Sequence, residues 1–384
     1  MPAGEDFALG IPFFWVRQDW LDNLGIEDLK FESNQDVVDL ALRFMNEDPD
    51  QNGKDDTFGI VLDNTLDRYL RAFGHNIDQQ VNMYMEKDGE LIYSDIQLGM
   101  KDLLKQMNDM YTQGLLDKEF AVKDFNKATE RLAAGEVGIF PMSFVVRGPF
   151  ANNKMNQDFA EWTCIPLPPN SDGKYSVGSE KACFKWLVCN ANFEYPEALV
   201  KGQNLWHELW QGDHAEYYHG LNLSDYAQAG EDFKLYPPFW FDPPLKNLGQ
   251  GRVFPNAWDD KDRDSIISPE TRKQYDRSID FFENGNKELY TGWTNMHLFY
   301  MAFPTIDKVY GGSENIVYDA FTGPTTDVIA SKQPLADKVR LEWLTKFIVG
   351  NEDIEASFDT YVDEWLSAGG QDVLNEANAW YKSR

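Results

Sequence analysis

The stretch DPDQNGKDDTFGI, residues 48–60, sets acidic or amide side chains at alternate positions around one glycine. Oxygen donors at every second residue can be aimed at one hard cation where the chain turns sharply. Asp48, Asp50, Asn52 and Asp56, around Gly53, meet that need. The spacing matches the first nine positions of an EF-hand loop; at the twelfth, where such a loop places a bidentate glutamate, stands Gly59. The same residues also make a plain Asp/Asn/Gly turn between a helical run and the strand-like TFGIVL. From the residues alone, a calcium loop and a simple turn both stay open.

A second set of side chains is aromatic. Sugar rings present C–H faces that stack on aromatic planes, and their hydroxyls need amide or carboxylate partners. Trp240, Trp258 and Trp293 stand in polar, irregular surroundings, PPFWFDPP, PNAWDDKD and YTGWTNMH, that suit such a ligand. Core packing is the plain alternative for each. Catalytic signatures are missing by comparison. HELWQGDH begins like a zinc-protease helix but carries Gln211 where the second histidine belongs. No G-x-S-x-G elbow, phosphate-cradling glycine loop or dinucleotide fingerprint occurs. Sixty-four acidic residues make chance pairs inevitable, so a carbohydrate-active enzyme using a carboxylate pair remains the alternative to a binding protein.

The totals narrow the field. A chain of 384 residues exceeds what one core usually serves, so two lobes are expected. A formal net charge of −29 repels phosphate backbones, which removes nucleic acid from the expected partners. Cys164, Cys183 and Cys189 are odd in number and form no C-x-x-C pair, arguing against a disulfide framework and a zinc site. Cys183 and Cys189 lie in the apolar run ACFKWLVCNA, where small buried thiols are expected. No run is long enough to span a membrane, and MPAGEDFALGIP lacks the basic head and apolar core of a signal peptide. Taken literally, this chain is soluble and unexported.

These groups must be carried by regular elements. Strands are expected at Phe13–Val16, in VGIFPMSFVV, in EWTCIPLPP and in ACFKWLVCNA. Met100, Leu103, Leu104, Met107, Met110 and Tyr111 share one helix face before a stop at Gly114; Phe125, Ala128 and Leu132 repeat the pattern before Gly135. Pro196 is placed to start a helix with Leu199, Leu205, Trp206 and Leu209 on its apolar face. Leu335, Val339, Trp343, Leu344, Phe347 and Ile348 share another, and FDTYVDEWLSAGG closes a second helix at a glycine pair. Residues 235–260, rich in proline and aromatics, read as a long cleft-lining loop. Strands alternating with helices indicate an α/β protein.

Several stretches resemble a known family: GIPFFWVRQDWLDNLGI, DPDQNGKDDTFGI, DGELIYSDIQLGMKDLLKQMNDMYTQGLLDKEF, RLAAGEVGIF, YPEALVKGQNLW, FTGPTTDV and FDTYVDEWLSAGGQDVLNEANAWYK. The resemblance is to the extracellular solute-binding proteins, lipoprotein type, of carbohydrate ABC importers, and it runs with gaps from about Gly10 to Lys382. It implies the two-lobed α/β fold of periplasmic binding proteins (type II), non-catalytic capture of an oligosaccharide, permease subunits as partners, and a cell-surface lipoprotein as the full-length parent.

The resemblance also implies residue roles. Asp48, Asp50, Asn52, the Lys54 carbonyl and Asp56 match a structural calcium site, with Thr57 where a glutamate is common, a change expected to weaken affinity. Phe144, Arg147 and His75 match positions that tend to face the sugar. By the same pattern residues 1–12 are a remnant of the first lobe with a hinge strand, 13–175 the second lobe, 176–320 a first-lobe segment, and 321–384 helices completing the second lobe. Relatives carry a lipoprotein signal and a long stretch before the matching segment, so the first lobe is expected to be incomplete. The chain is then a monomer, or a scaffold needing a second polypeptide.

Overall fold

A computed structural model describes residues 12–143, 147–179, 188–211, 246–287, 290–310 and 315–384. The chain divides into two compact units, one of Gly10–Glu180 with Thr305–Arg384, the other of Lys181–Pro304 with Met1–Leu9.

The larger unit is built on strand β1 (Phe13–Arg17), whose five side chains are all buried. A continuous apolar run covered on both faces is what a central strand requires. Helices α1 (Gln18–Asn23) and α2 (Asn34–Asn46) follow, then β2 (Phe58–Ile60), α3 (Asp67–Gly74) and the hairpin β3 (Tyr84–Lys87) and β4 (Glu90–Tyr93). Helices α4 (Gly99–Thr112) and α5 (Phe125–Ala134), strand β5 (Val137–Met142), α6 (Arg147–Asn156), β6 (Trp162–Ile165) and β7 (Val177–Ser179) complete this part. The sheet order is β2-β5-β1-β6, with β5 and β6 antiparallel to β1 and β2 parallel to β5. Pro141 is tolerated because pairing with β2 ends at Ile139. Of the expected apolar faces, Met100, Leu103, Leu104, Met107 and Met110 on α4 and Ala128 and Leu132 on α5 are buried while Tyr111 and Phe125 are half-buried, and Gly114 and Gly135 take the left-handed conformation that ends a helix.

The other unit is helical among its described residues: α7 (Glu197–Gln211), α8 (Lys246–Asp259), α9 (Pro269–Phe282), α10 (Tyr290–Asn295) and a π-helical stretch Met296–Ala302. Helix α8 corrects the expectation of an irregular loop over 235–260. Leu248, Gly251, Phe254 and Ala257 recur every third residue and are buried, and that face holds the helix together across Pro255. Residues 235–245 lie outside the described residues. The strand expected in ACFKWLVCNA falls at 182–191, of which 182–187 lie outside them; the rest is an exposed loop before α7. Cys189 is therefore exposed rather than a buried thiol, whereas Cys164 on β6 is buried. Leu205 is also exposed, so the apolar face expected for α7 is not covered there.

The chain returns through α11 (Phe303–Tyr310), β8 (Ile316–Tyr318), parallel to β7, and then α12 (Asp327–Val349), α13 (Ile354–Trp365) and α14 (Gln371–Lys382). On α12 the expected face holds for Trp343, Leu344, Phe347 and Ile348, but Leu335 is exposed and Arg340 is buried. The glycine pair does not end the helical region: Gly369, at φ 126°, kinks a π-helical turn and α14 continues from it.

Arg340 is buried because it is neutralised. Its Nε donates to Asp95 at 2.5 Å and its Nη2 to Asp67 at 2.5 Å. Asp95 also accepts from the Asn82 backbone N–H at 2.6 Å and the Ser94 hydroxyl at 2.8 Å, while Asn82 Nδ2 donates to Asp67. Burial opposes the guanidinium charge, but Asp95 and Asp67 outweigh it and hold Arg340 above its ordinary range. This knot ties α3 and the β3–β4 hairpin to the C-terminal helices.

Candidate functional site

The acidic loop begins where α2 stops. Asp48, Gln51 and Gly53 all take positive φ, 49°, 56° and 74°, which coils the backbone around the side chains of Asp50 and Asn52. The Asp48 carboxylate accepts from the Gly53 N–H at 3.1 Å. Asn52 Nδ2 donates to Asp50 at 2.7 Å and to Asp56 at 3.1 Å, so one amide NH₂ stands between two carboxylates. Burial pushes the Asp50 carboxyl up, its hydrogen bond from the Asn52 backbone opposes this, and Asp48 and Asp56 add to the rise. Thr57 is turned away: its hydroxyl donates to the Phe44 carbonyl at 2.6 Å and anchors the loop to α2.

The donor chemistry of this loop, three carboxylates, an amide and backbone carbonyls, is that of a hard divalent cation. Rotating the Asn52 amide would present its oxygen in place of the NH₂, an orientation that hydrogen bonding alone assigns. As the side chains stand, no group of three or more His, Cys, Asp or Glu among the described residues is arranged to hold a metal ion. Asp48, Asp50 and Asp56 are gathered by hydrogen bonds to Asn52 and Gly53.

His75 lies elsewhere in the same unit. The 13 residues of α2 separate the loop at its C-terminus from Asn34 at its N-terminus by roughly 20 Å. The Asn34 N–H donates to Asn76, the neighbour of His75, at 3.1 Å. His75 ends α3 and is 2% exposed. Its ring lies parallel to Tyr175, centroids 5.6 Å apart at 7°. Together with Arg71, Gln79, Gln80, Ser176 and Gly178 it lines a hollow with about 10 Å³ of free space, enough for one water-sized group. A side chain at position 178 would place its Cβ 2.6 Å from Gln80 Oε1, so glycine keeps this wall open. Among the described residues neither ring nitrogen of His75 has a hydrogen-bond partner. Burial pushes the imidazole down from its ordinary value, with the adjacent Ser176 backbone and the Asp78 charge opposing.

The aromatic candidates belong to the helical unit. Trp258, on α8, is half-buried; its ring is parallel to Phe254 at 6.3 Å and edge-on to Tyr275 and Phe282. Trp293, on α10, is 1% exposed and packs on His297 with centroids 4.1 Å apart. Trp240 and Phe144 lie outside the described residues, as does the side chain of Arg147, whose backbone opens α6. Within the larger unit the loop and His75 therefore form separate groups. Sequence reasoning passed over Arg71, Gln79, Gln80 and Tyr175, which come together around His75 only through the fold.

No family model matches the chain. Its sequence is similar to lipoprotein LipO of Bacillus subtilis, 23% identical over 96% of this chain and 68% of the relative. It is similar also to the polygalacturonan/rhamnogalacturonan-binding protein YtcQ of the same organism, 23% identical over 96% of this chain and 67% of the relative. Among solved structures, alginate-binding protein AlgQ2, determined without calcium ion, superposes with a TM-score of 0.61 at 13% identity, over 100% of this chain and 74% of that one. An EF-hand mutant of the substrate-binding protein FusA of Streptococcus pneumoniae gives 0.57 at 15% identity, over 100% and 74%. The fold is that of the type II periplasmic solute-binding proteins, and the resemblance to the lipoprotein-type solute-binding proteins of carbohydrate importers holds across almost the entire chain.

Proposed function

We propose that this chain is the substrate-binding component of a carbohydrate ABC importer, holding an oligosaccharide for transfer to permease subunits and leaving its bonds intact. The observation that carries the reading is similarity over 96% of the chain to a relative named for binding polygalacturonan and rhamnogalacturonan. Trp258, half-buried on α8, supplies a stacking surface of the kind that a sugar needs. In this reading the protein works at the cell surface as a lipoprotein, the class for which its relative LipO is named.

In this reading the loop Asp48–Asp56 holds a calcium ion as a brace, with Asp48, Asp50, Asn52, the Lys54 carbonyl and Asp56 as donors. Calcium would neutralise the gathered carboxylates and fix the coil between α2 and β2; it takes no part in sugar contact, roughly 20 Å from the His75 end of α2. Calorimetric titration with a panel of plant and bacterial oligosaccharides, followed by chromatography of the mixtures, tests the function. Saturable heat with intact glycans is expected. Cleaved products, or no binding across the panel, would overturn it.

A further inference from the structure

The chain contains two Asn-Gly pairs, Asn52-Gly53 in the acidic loop and Asn284-Gly285 just beyond the C-terminus of α9. Such a pair carries its own chemistry: with no Cβ in the way, the glycine amide nitrogen can approach the side-chain carbonyl carbon of the asparagine. Both pairs are exposed, and Gly53 and Gly285 take similar positive φ, 74° and 70°. What separates them is hydrogen bonding.

At Asn52 every group that would react is held. The Gly53 N–H donates to Asp48 at 3.1 Å, the Asn52 NH₂ donates to Asp50 at 2.7 Å and to Asp56 at 3.1 Å, and its oxygen accepts from the Lys54 N–H at 2.8 Å. Three of these bonds end on carboxylates, the stronger kind. At Asn284 the amide donates once, to Asp280 at 2.9 Å, and among the described residues the Gly285 N–H has no hydrogen-bond partner.

We propose that Asn284 is a site of spontaneous deamidation, and that Asn52 is protected from the same reaction by its loop. The Gly285 nitrogen, losing its proton to solvent, attacks the Asn284 side-chain carbonyl carbon and closes a succinimide ring. The bond to Nδ2 breaks, and ammonia leaves with a proton returned by solvent. Water then opens the ring at either carbonyl, leaving aspartate or isoaspartate; nothing is oxidised or reduced. Either product removes the donor to Asp280 and puts a carboxylate in its place, at the carbonyl end of α9 where negative charge is disfavoured. Isoaspartate also lengthens the main chain between two bonds that close the helix, Asn284 N–H to the Ile279 carbonyl at 3.2 Å and Asn286 N–H to the Asp280 carbonyl at 2.9 Å. The modified chain is looser at this end of α9, beside Phe282, whose ring meets Trp258 edge-on at 5.9 Å.

The test is to hold the whole folded chain at mildly alkaline pH for several weeks and follow both asparagines by peptide mass mapping, with isoaspartate identified by methyltransferase labelling. Asn284 is expected to lose its amide about tenfold faster than Asn52 or more, the factor that a single hydrogen bond to a charged group supplies. In urea the two rates should converge. An intact Asn284, or equal rates in the folded chain, would overturn the site; a difference that persists in urea would assign it to neighbouring sequence and overturn protection by the loop. Asn284→Gln keeps an amide for Asp280 and should abolish isoaspartate in that peptide, whereas Asn284→Asp should unfold at lower urea than Asn284→Gln. Equal midpoints for these two variants would overturn the loosening of α9.

Discussion

Two buried polar centres lie in the larger unit, the Arg340 knot and the His75 hollow, and they are finished differently. Around Arg340 the paired carboxylates, the Asn82 amide and the Ser94 hydroxyl are joined by hydrogen bonds between 2.5 and 2.8 Å. Around His75 a ring of similar burial faces a small space, and among the described residues neither nitrogen has a hydrogen-bond partner. A saturated buried network holds segments together and offers nothing to a ligand, whereas an unsaturated one keeps the desolvation cost until something arrives. The first is a structural tie and the second has the character of a site.

The largest effect should come from opening the knot. Arg340→Met leaves Asp95, with no exposed side-chain surface, as an unpaired buried charge, and is expected to cost about 3–5 kcal/mol in urea unfolding. Arg340→Met with Asp95→Asn together should recover part of that loss. A cost under about 1 kcal/mol would show that water already reaches Asp95, and the distinction between the two centres would dissolve.

The acidic loop tests the same idea at the surface. Asp50 is crowded by Asp48 and Asp56, with an amide NH₂ as the shared donor, so a cation that displaces the amide binds the folded state. Saturating calcium is expected to raise the melting temperature relative to excess chelator. The stabilisation would be about 2.7 kcal/mol at a free concentration one hundred times the dissociation constant. Asp50→Asn should shrink the difference. Identical melts with and without chelator, and no metal by elemental analysis, would return the loop to a plain turn.

How much of this was legible in the sequence follows from what fixes each part. Local periodicity revealed α4 and α5, and four uninterrupted apolar residues revealed β1, because burial of one face or of both leaves a pattern in neighbouring residues. Helix α8 was hidden by its glycines and Pro255, breakers whose cost is offset by a buried face that only the tertiary fold provides. Leu335 lies outside its expected face and Arg340 inside for a related reason. Arg340 goes inside because Asp67 and Asp95, some 270 and 245 positions away, meet it there. The acidic loop was visible since its donors are consecutive. The hollow was not, because Arg71 and His75 meet Ser176 and Gly178 only through the fold.

The smallest effect is also the one that separates an empty site from a structural histidine. His75 is depressed below its ordinary value of 6.5, first by burial, so between the folded and unfolded values the unfolded chain binds the proton that the folded chain refuses. Stability therefore rises with pH through that window: the contribution is intact above about 6.5 and is lost as pH falls toward the folded value. Urea unfolding of wild type and His75→Phe from about pH 7.5 down to about 5.5 should show a steeper loss in the wild type, above the range where most carboxylates titrate. Equal slopes would mean that water already solvates the ring.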